Sequence, residues 1–380
     1  MMRTVLLGDI CDIKIGRTPP RKQPQWFSSS HGMKWASIKD MGNTGKYISQ
    51  TNELLTMDAI SKFNIPIIPA GTLLMSFKLT VGRLGFTKYD MCSNEAIAQL
   101  PIKAPDIVDK NYLYYYLKNF NFDSLSSTSS IATAVNSKTV KNISVNLPPL
   151  DQQKKIANIL GSLDEKIELN RHMNETLEQL GQALFCHYFV DNPEAKNWNE
   201  GTFGDIMNIT MGQSPPGKSY NDNGDGVVFY QGRADFGSRY PNVRLFTTDP
   251  RRFAKVGDVL LTVRAPVGDV NQASERCCIG RGLAAISSRT GAASFCYYYC
   301  RQLKADFLEY NSEGTVFGSI NSKQLKALKL KIPPIGLVEK FENEVAVIDK
   351  TITLNSYQVK TLVVLCDSLL PKLISGEIEV

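Results

Sequence analysis

The sequence predicts an α+β protein: two similar mixed α/β lobes joined by two long antiparallel helices packed as a coiled-coil rod, with a pseudo-twofold internal repeat. Three observations lead there. A domain-sized stretch of the 380-residue chain occurs twice, each copy closes on a Pro-Pro pair, and a helical seam follows each pair. The expected divisions are a first lobe over 1–150, a first helix over 151–190, a second lobe over 191–335 and a second helix over 336–380.

The duplication is read directly from the residues. Leu7-Gly8-Asp9-Ile10 through Pro19-Pro20 returns as Phe203-Gly204-Asp205-Ile206 through Pro215-Pro216, with seven of fourteen positions identical. Ala70-Gly71-Thr72-Leu73-Leu74 pairs with Val256-Gly257-Asp258-Val259-Leu260, and both run on to a Val-Gly, at 81–82 and 267–268. Tyr114–Tyr116 matches Tyr297–Tyr299. Asn136-Ser137-Lys138 before Pro148-Pro149 matches Asn321-Ser322-Lys323 before Pro333-Pro334. Repeats this long are whole domains rather than solenoid turns. Two similar surfaces on one chain suit a symmetric or bipartite target.

Proline is excluded from helix interiors but tolerated where a helix begins, so helices are expected from about Asp151 and Gly336. Steps of four and three residues then place Ile156, Leu160, Leu163, Ile167, Asn170, Asn174, Leu177, Gly181, Leu184 and Tyr188 on one stripe. Phe341, Val345, Ile348, Ile352, Asn355, Val359, Leu362, Cys366, Leu369 and Leu373 form a second stripe, each member 185 residues after its counterpart. This is the period of a coiled-coil seam. Asn170 and Asn355 interrupt both seams at one repeat position, where a buried amide costs stability but fixes register. Each helix spans roughly 50 Å at about 1.5 Å per residue. Pairing the two helices with a lobe at each end gives a dumbbell, and its scale compares with the roughly 34 Å of a DNA turn.

Within the lobes, Gly71–Phe77, Asp258–Val263 and Lys329–Ile332 read as short strands between Gly/Pro/Asn turns. Lys110–Phe120 and Ala293–Leu303 read as aromatic-rich helices; a tyrosine triplet on a helix points three ways, so two of the three are expected in the core or in helix packing rather than stacked on bases. Ser124–Ser130 reads as a surface loop.

Charge sharpens the division. Residues 1–150 hold 17 Lys/Arg against 10 Asp/Glu, and 191–335 hold 18 against 14. The segments 151–190 (4 against 6) and 336–380 (4 against 7) are acidic. Basic lobes on acidic helices suit an anionic partner, nucleic acid first. Candidate DNA contacts are cations in Gly/Pro-rich loops that reach phosphates or base edges. In the first lobe they are Arg17, Arg21, Lys22, Lys34, Lys39, Lys78, Arg83 and Lys138. In the second they are Lys218, Arg233, Arg239, Arg251, Arg252, Arg264, Arg281 and Lys323. Lys78 and Arg264 stand out because both follow the duplicated strand. Lys138 and Lys323 stand out because the Asn-Ser-Lys is duplicated, with helix capping as its structural role.

Catalytic patterns are missing. There is no Walker A sequence. Thr18-Pro19-Pro20-Arg21 and Ser214-Pro215-Pro216-Gly217 lack the aromatic that stacks on a flipped base in adenine methyltransferases. Asp164-Glu165-Lys166 lies in the rod and reads as a solvated helix face. Eight cysteines without a C-x-x-C, and three histidines at 31, 172 and 187, supply no metal spacing. No apolar run approaches the roughly 20 residues that cross a bilayer, and the apolar patch over Met1–Leu7 is too short to read as a secretory signal. A cytoplasmic, non-catalytic protein is expected.

The combination resembles the specificity subunit of type I restriction–modification systems across essentially the whole chain. The resemblance rests on Leu7-Gly8-Asp9-Ile10 with its copy at 203–206, and on Leu147-Pro148-Pro149-Leu150-Asp151-Gln152-Gln153 leading into Ile156. Ile332-Pro333-Pro334-Ile335 departs afterwards, with Val338 where the first copy has Gln153. The resemblance implies two target recognition domains that each read half of a split double-stranded DNA sequence. It also implies that the helices space the halves and dock two methyltransferase subunits. S-adenosylmethionine, ATP and Mg belong to partner subunits, including a restriction and translocation subunit, with no cofactor on this chain. A methylation-only assembly, a two-lobed scaffold without a DNA role and a self-contained nuclease or methyltransferase are the alternatives. Neighbouring genes, duplex binding and S-adenosylmethionine binding respectively discriminate them.

Overall fold

The computed structural model describes residues 2–42, 45–125, 136–308 and 318–380. Most of the Ser124–Ser130 segment lies outside the described residues. Two compact units form, one from Met1–Arg171 with Tyr357–Val380, the other from His172–Ser356. The unit boundary therefore runs through both long helices rather than between lobe and helix.

Both helices begin at the prolines. The central helix covers Leu150–Phe185 over 36 residues and ends in a π turn, Cys186–Val190. The C-terminal helix covers Ile335–Ser375 over 41 residues. In the first unit, Ile156, Ala157 and Leu160 share a core with Leu370, Leu373 and Ile374, and Asn170 Nδ2 donates to Gln358 Oε1 at 3.1 Å. Partners descend as residues ascend, so these segments are antiparallel. In the second unit Tyr188 donates to Glu344 Oε1 at 2.7 Å, and Asn355 Nδ2 donates to Asn174 Oδ1 at 3.0 Å, with the same sense. Along the seam, Ile156, Leu160, Ile167, Asn170, Phe341, Val345, Ile352 and Asn355 are buried. Leu163, Leu177, Leu184, Ile348, Leu362 and Leu369 are half-buried. Burying one such side chain contributes about 1.5–3 kcal/mol. The two asparagines cost some of that gain, since Asn170 Oδ1 is buried without a hydrogen-bond partner among the described residues.

The two lobes share one plan. In the first, Arg3–Leu6 pairs antiparallel with Ser144–Leu147. In the second, Asn199–Thr202 pairs with Lys329–Ile332 in the same way. Each lobe therefore closes its first strand against the strand that precedes its Pro-Pro. A sheet in the first lobe runs in the order Lys14–Ile15, Ile97–Leu100, Leu73–Ser76, Leu84–Thr87, Tyr47–Ile48. The second lobe repeats its first four positions as Met207–Met211, Leu283–Ser288, Val259–Thr262, Val270–Gln272. A further sheet completes each lobe, four-stranded around Met33–Ala36 and five-stranded around Val227–Tyr230.

Two duplicated glycines explain why the copies are so alike at these points. A Cβ on Gly16 or Gly212 would fall 2.0 Å from the Ser93 carbonyl or 2.1 Å from that of Gly280, so only glycine lets the loop lie on its neighbour. Gly82 and Gly268 adopt positive φ, and a Cβ there would strike Phe122 or Phe307. The tyrosine triplets pack as expected: Tyr114, Tyr115, Tyr297 and Tyr298 are buried, on helices Lys110–Lys118 and Ala293–Gln302.

Candidate nucleic-acid interface

Of the candidate cations of the first lobe, Arg17, Arg21 and Lys22 lie on the loop after Gly16, and Lys78 on the turn after Leu73–Ser76; all four are exposed. Arg21 holds both oxygens of Glu53 at 2.7 and 2.8 Å. Its guanidinium lies over the rings of Phe27 and Trp35. Thr18 donates to Glu95, toward whose carboxylate Lys78 and Arg21 both direct their charge. Burial pushes the Glu95 carboxyl up, but the Thr18 hydrogen bond, a bond to its own backbone and the two cations outweigh burial and hold it low. Arg17 is exposed yet tied, with Nη1 donating to the carbonyls of Phe63 and Asn64 at 3.1 and 3.0 Å. Arg83 is half-buried and donates to the Ile38 carbonyl at 2.8 Å, bracing the short helix that carries exposed Lys39. Lys34 donates to Gln50 at 3.1 Å. Lys22 and Lys138 are exposed.

In the second lobe Lys218, Arg252, Arg264, Arg281 and Lys323 are exposed. Arg281 lies beside the loop equivalent to that of Arg17, its backbone N–H donating to Ser214 Oγ at 3.2 Å. Arg264 follows strand Val259–Thr262 and pairs through its backbone with Ser319. Arg251 meets Asp249 at 2.7 Å, and Arg233 meets Asp269. The duplicated asparagines cap short helices: Asn136 Oδ1 accepts from the N–H groups of Lys138 and Thr139, and Asn321 Oδ1 accepts from that of Gln324. Lys138 and Lys323 extend from those helices.

Arg239 does not belong with these surface cations. It is 2% exposed, stacks 3.9 Å from the Tyr297 ring centroid and lies 3.0 Å from Asp349 and 4.0 Å from Glu178. Its Nη2 is close to Asp349 without being aligned as a hydrogen bond. Burial opposes the guanidinium charge, and Tyr297, Asp349 and Tyr298 more than restore it. Arg239 was expected among the cations of Gly/Pro-rich surface loops, but two helix carboxylates and two tyrosines enclose the side chain instead.

In the first unit the reading of Asp164 as part of a solvated helix face is corrected in turn. Tyr115 donates to Asp164 Oδ2 at 2.7 Å, and in the second unit Tyr298 donates to Asp349 Oδ1 at 3.1 Å. Asp349 is 185 residues after Asp164, so this tyrosine–aspartate anchor is itself duplicated. Lys46 takes the place of Arg239 in the first unit, with Nζ 5.1 Å from the Tyr115 ring centroid. Burial pushes its ammonium down, opposed by Asp164 and Glu165. Glu165 and Lys166 are exposed, as expected of that face.

These features define a protein of two similar lobes, each packed on segments of a duplicated pair of long helices. Among the described residues no group of His, Cys, Asp and Glu is placed to hold a metal ion, and no helix is long and apolar enough to cross a membrane. The family model of the type I restriction modification DNA specificity domain matches residues 2–179 and again 195–355. The chain belongs to that family, carries two copies of its domain and is a specificity subunit of a type I restriction–modification system. Specificity subunits are the non-catalytic components of such systems. The chain is 32% identical over 294 residues to a protein of Methanocaldococcus jannaschii described as the type I restriction enzyme MjaX specificity subunit, spanning 72% of this chain and 69% of that protein. It is 25% identical over 410 residues to the MjaIX specificity subunit of the same organism, covering 98% and 93% of the two chains. Among solved structures, the S subunit of a type I restriction–modification system from M. genitalium has the same fold. Its TM-score is 0.63 at 17% identity, with 98% of this chain and 96% of that one covered.

Sequence reasoning missed Lys46, Asp269, Lys304 and the anchoring role of Asp164 and Asp349. The 185-residue offset linking the two aspartates was the available signal. Lys304 and Asp269 carry no repeat signal, because the first lobe has Arg83 where the second has Asp269.

Proposed function

We propose that each lobe reads one half of a bipartite double-stranded DNA sequence, and that the paired helices set the gap and dock two methyltransferase subunits. The observation that carries this reading is the duplicated tyrosine–aspartate anchor, Tyr115–Asp164 and Tyr298–Asp349. One scaffold holds two lobes whose surface loops carry different cations, which suits two different half-sites. Phosphate contacts from residues such as Lys78 and Arg264 supply salt-dependent affinity, while forked side chains discriminate bases. Exposed apolar residues at equal repeat positions on the helices, Leu169 with Leu354 and Leu180 with Leu365, support two equivalent docking faces. In this reading S-adenosylmethionine, ATP and Mg are held by partner subunits in the cytoplasm, and this chain contributes recognition alone.

Removing one heptad from each long helix, in register, tests the reading. Methylated sites are mapped in a host expressing the altered chain with its methyltransferase. The expected outcome is a changed gap with both half-sites intact; an unchanged gap rejects the spacer role. Loss of the split motif from an unaltered chain with an active methyltransferase rejects the DNA reading itself.

A further inference from the structure

The second lobe contains a polar cleft of about 460 Å³, lined among others by Arg233, Asp269, Arg301 and Lys304. Asp269 organises it. One oxygen accepts from Arg233 Nε and the other accepts from Lys304 Nζ at 2.8 Å. The Asp269 side chain is 18% exposed, while those of Arg233 and Lys304 are 53% and 63% exposed. A sheltered carboxylate therefore holds two outward cations.

Both supports are rigid. The Asp269 N–H donates to Thr262 Oγ1 at 2.9 Å, and its carbonyl accepts from the Thr262 N–H at 2.9 Å. Arg233 opens a turn closed by Asp235, whose Oδ2 accepts from the N–H groups of Gln231 and Gly232. Partial burial pushes the Asp269 carboxyl up, and the hydrogen bonds from Lys304 and Arg233 outweigh it, so the acid stays ionised. Exposed ion pairs contribute little to stability, so the arrangement is better explained by orientation. With Nε engaged, the terminal edge of the guanidinium, Nη1 and Nη2, has no partner among the described residues. That edge is the fork that matches O6 and N7 of guanine. Lysine, a compact charge with rotatable donors, suits a phosphate.

We propose that Arg233 is a base-reading residue of the second lobe, directing its terminal fork onto a guanine, with Asp269 as its positioning residue and Lys304 as the adjacent phosphate contact. This rests on the DNA reading above and adds which residue reads and which merely holds. In the first lobe the same turn, Val81-Gly82-Arg83, places a cation where the second has Asp269. That cation is bound to the Ile38 carbonyl, so the two lobes present different chemistry from one turn.

The test uses the complex of the full chain with its methyltransferase, read by methylated-site mapping and by competition binding to duplexes varied one base at a time. Arg233→Ala is expected to relax one guanine position in one half-site by roughly 10- to 100-fold while leaving the other half unchanged. Arg233→Lys keeps the charge but cannot fork, and is expected to relax the same position. Asp269→Asn should relax it less strongly. Lys304→Ala should weaken all sequences alike and lower the salt slope by about one. An unaltered motif in Arg233→Ala and Arg233→Lys overturns the proposal. Uniform weakening of one half-site with no position relaxed also overturns it, in favour of a purely structural pair. An unsubstituted complex with no split motif overturns the DNA reading as a whole, which separates that failure from this one.

Discussion

A half-buried lysine, Lys46, lies beside the anchor of the first lobe, and a buried arginine, Arg239, beside that of the second. Around them the geometry is the same: a tyrosine of the lobe's aromatic helix donates to an aspartate of a long helix, at Tyr115–Asp164 and Tyr298–Asp349. The helix ends differ again. Asp109 caps Lys110–Lys118 with its own carboxylate, and Gln153 of the central helix accepts from the Asp109 N–H at 2.9 Å. In the second unit Glu342 of the C-terminal helix accepts from the N–H groups of Ser294 and Phe295 at 3.1 and 3.0 Å, while Val338 stands where Gln153 would be. The comparison teaches that a docking geometry can persist while its chemistry is exchanged, with the N–H groups at the start of each aromatic helix finding a side-chain acceptor in both units.

The largest expected contrast lies in the cations. Arg239→Met leaves Asp349 without its counter-charge, while Glu178 keeps Arg301 at 2.8 Å, and should destabilise the second unit by about 3–5 kcal/mol. Lys46→Met, at a half-buried site, should cost under about 1 kcal/mol. Urea unfolding followed by tryptophan emission reads both, since Trp198 lies in the second unit and Trp26 and Trp35 in the first. Equal costs would end the distinction between the anchors. A smaller contrast comes from the seam. Phe341→Ala removes a ring packed against Phe185, Tyr188 and Phe189 and should cost about 3–5 kcal/mol, against about 2–5 for Ile156→Ala at the matching position. A larger loss from Ile156→Ala would place the tighter packing in the first unit. The smallest effect should also be the most even. Asn136→Ala and Asn321→Ala each remove a helix cap and should cost about 1 kcal/mol apiece. A marked inequality between the caps in the same unfolding experiment would show that these short helices are not equivalent.

Much of this architecture was legible because it depends on periodicity. The four–three spacing and the Pro-Pro pairs placed the start of each long helix one residue from where it begins, at Leu150 and Ile335, whereas the second helix stops at Ser375 rather than 380, and the buried Asn170 and Asn355 sit where the seams predicted. The strand Lys329–Ile332 and the tyrosine helices were equally plain. Arg239 was misplaced because its neighbours in sequence, Gly237, Ser238 and Tyr240, read as an open loop. The carboxylates that enclose it lie 61 residues before it, at Glu178, and 110 after, at Asp349. Asp164 was misread for the same reason, its tyrosine partner being remote.

The duplication, the seam register and the segregation of basic lobes from acidic helices were determined by the sequence alone, since each is a regularity of local spacing or composition. Only the tertiary structure decided which cations are sheltered and which face outward, and that one carboxylate, Asp269, aligns two of them. Those outcomes depend on side chains brought together from distant segments, and burial there changes the cost of a charge more than its neighbours in sequence can reveal.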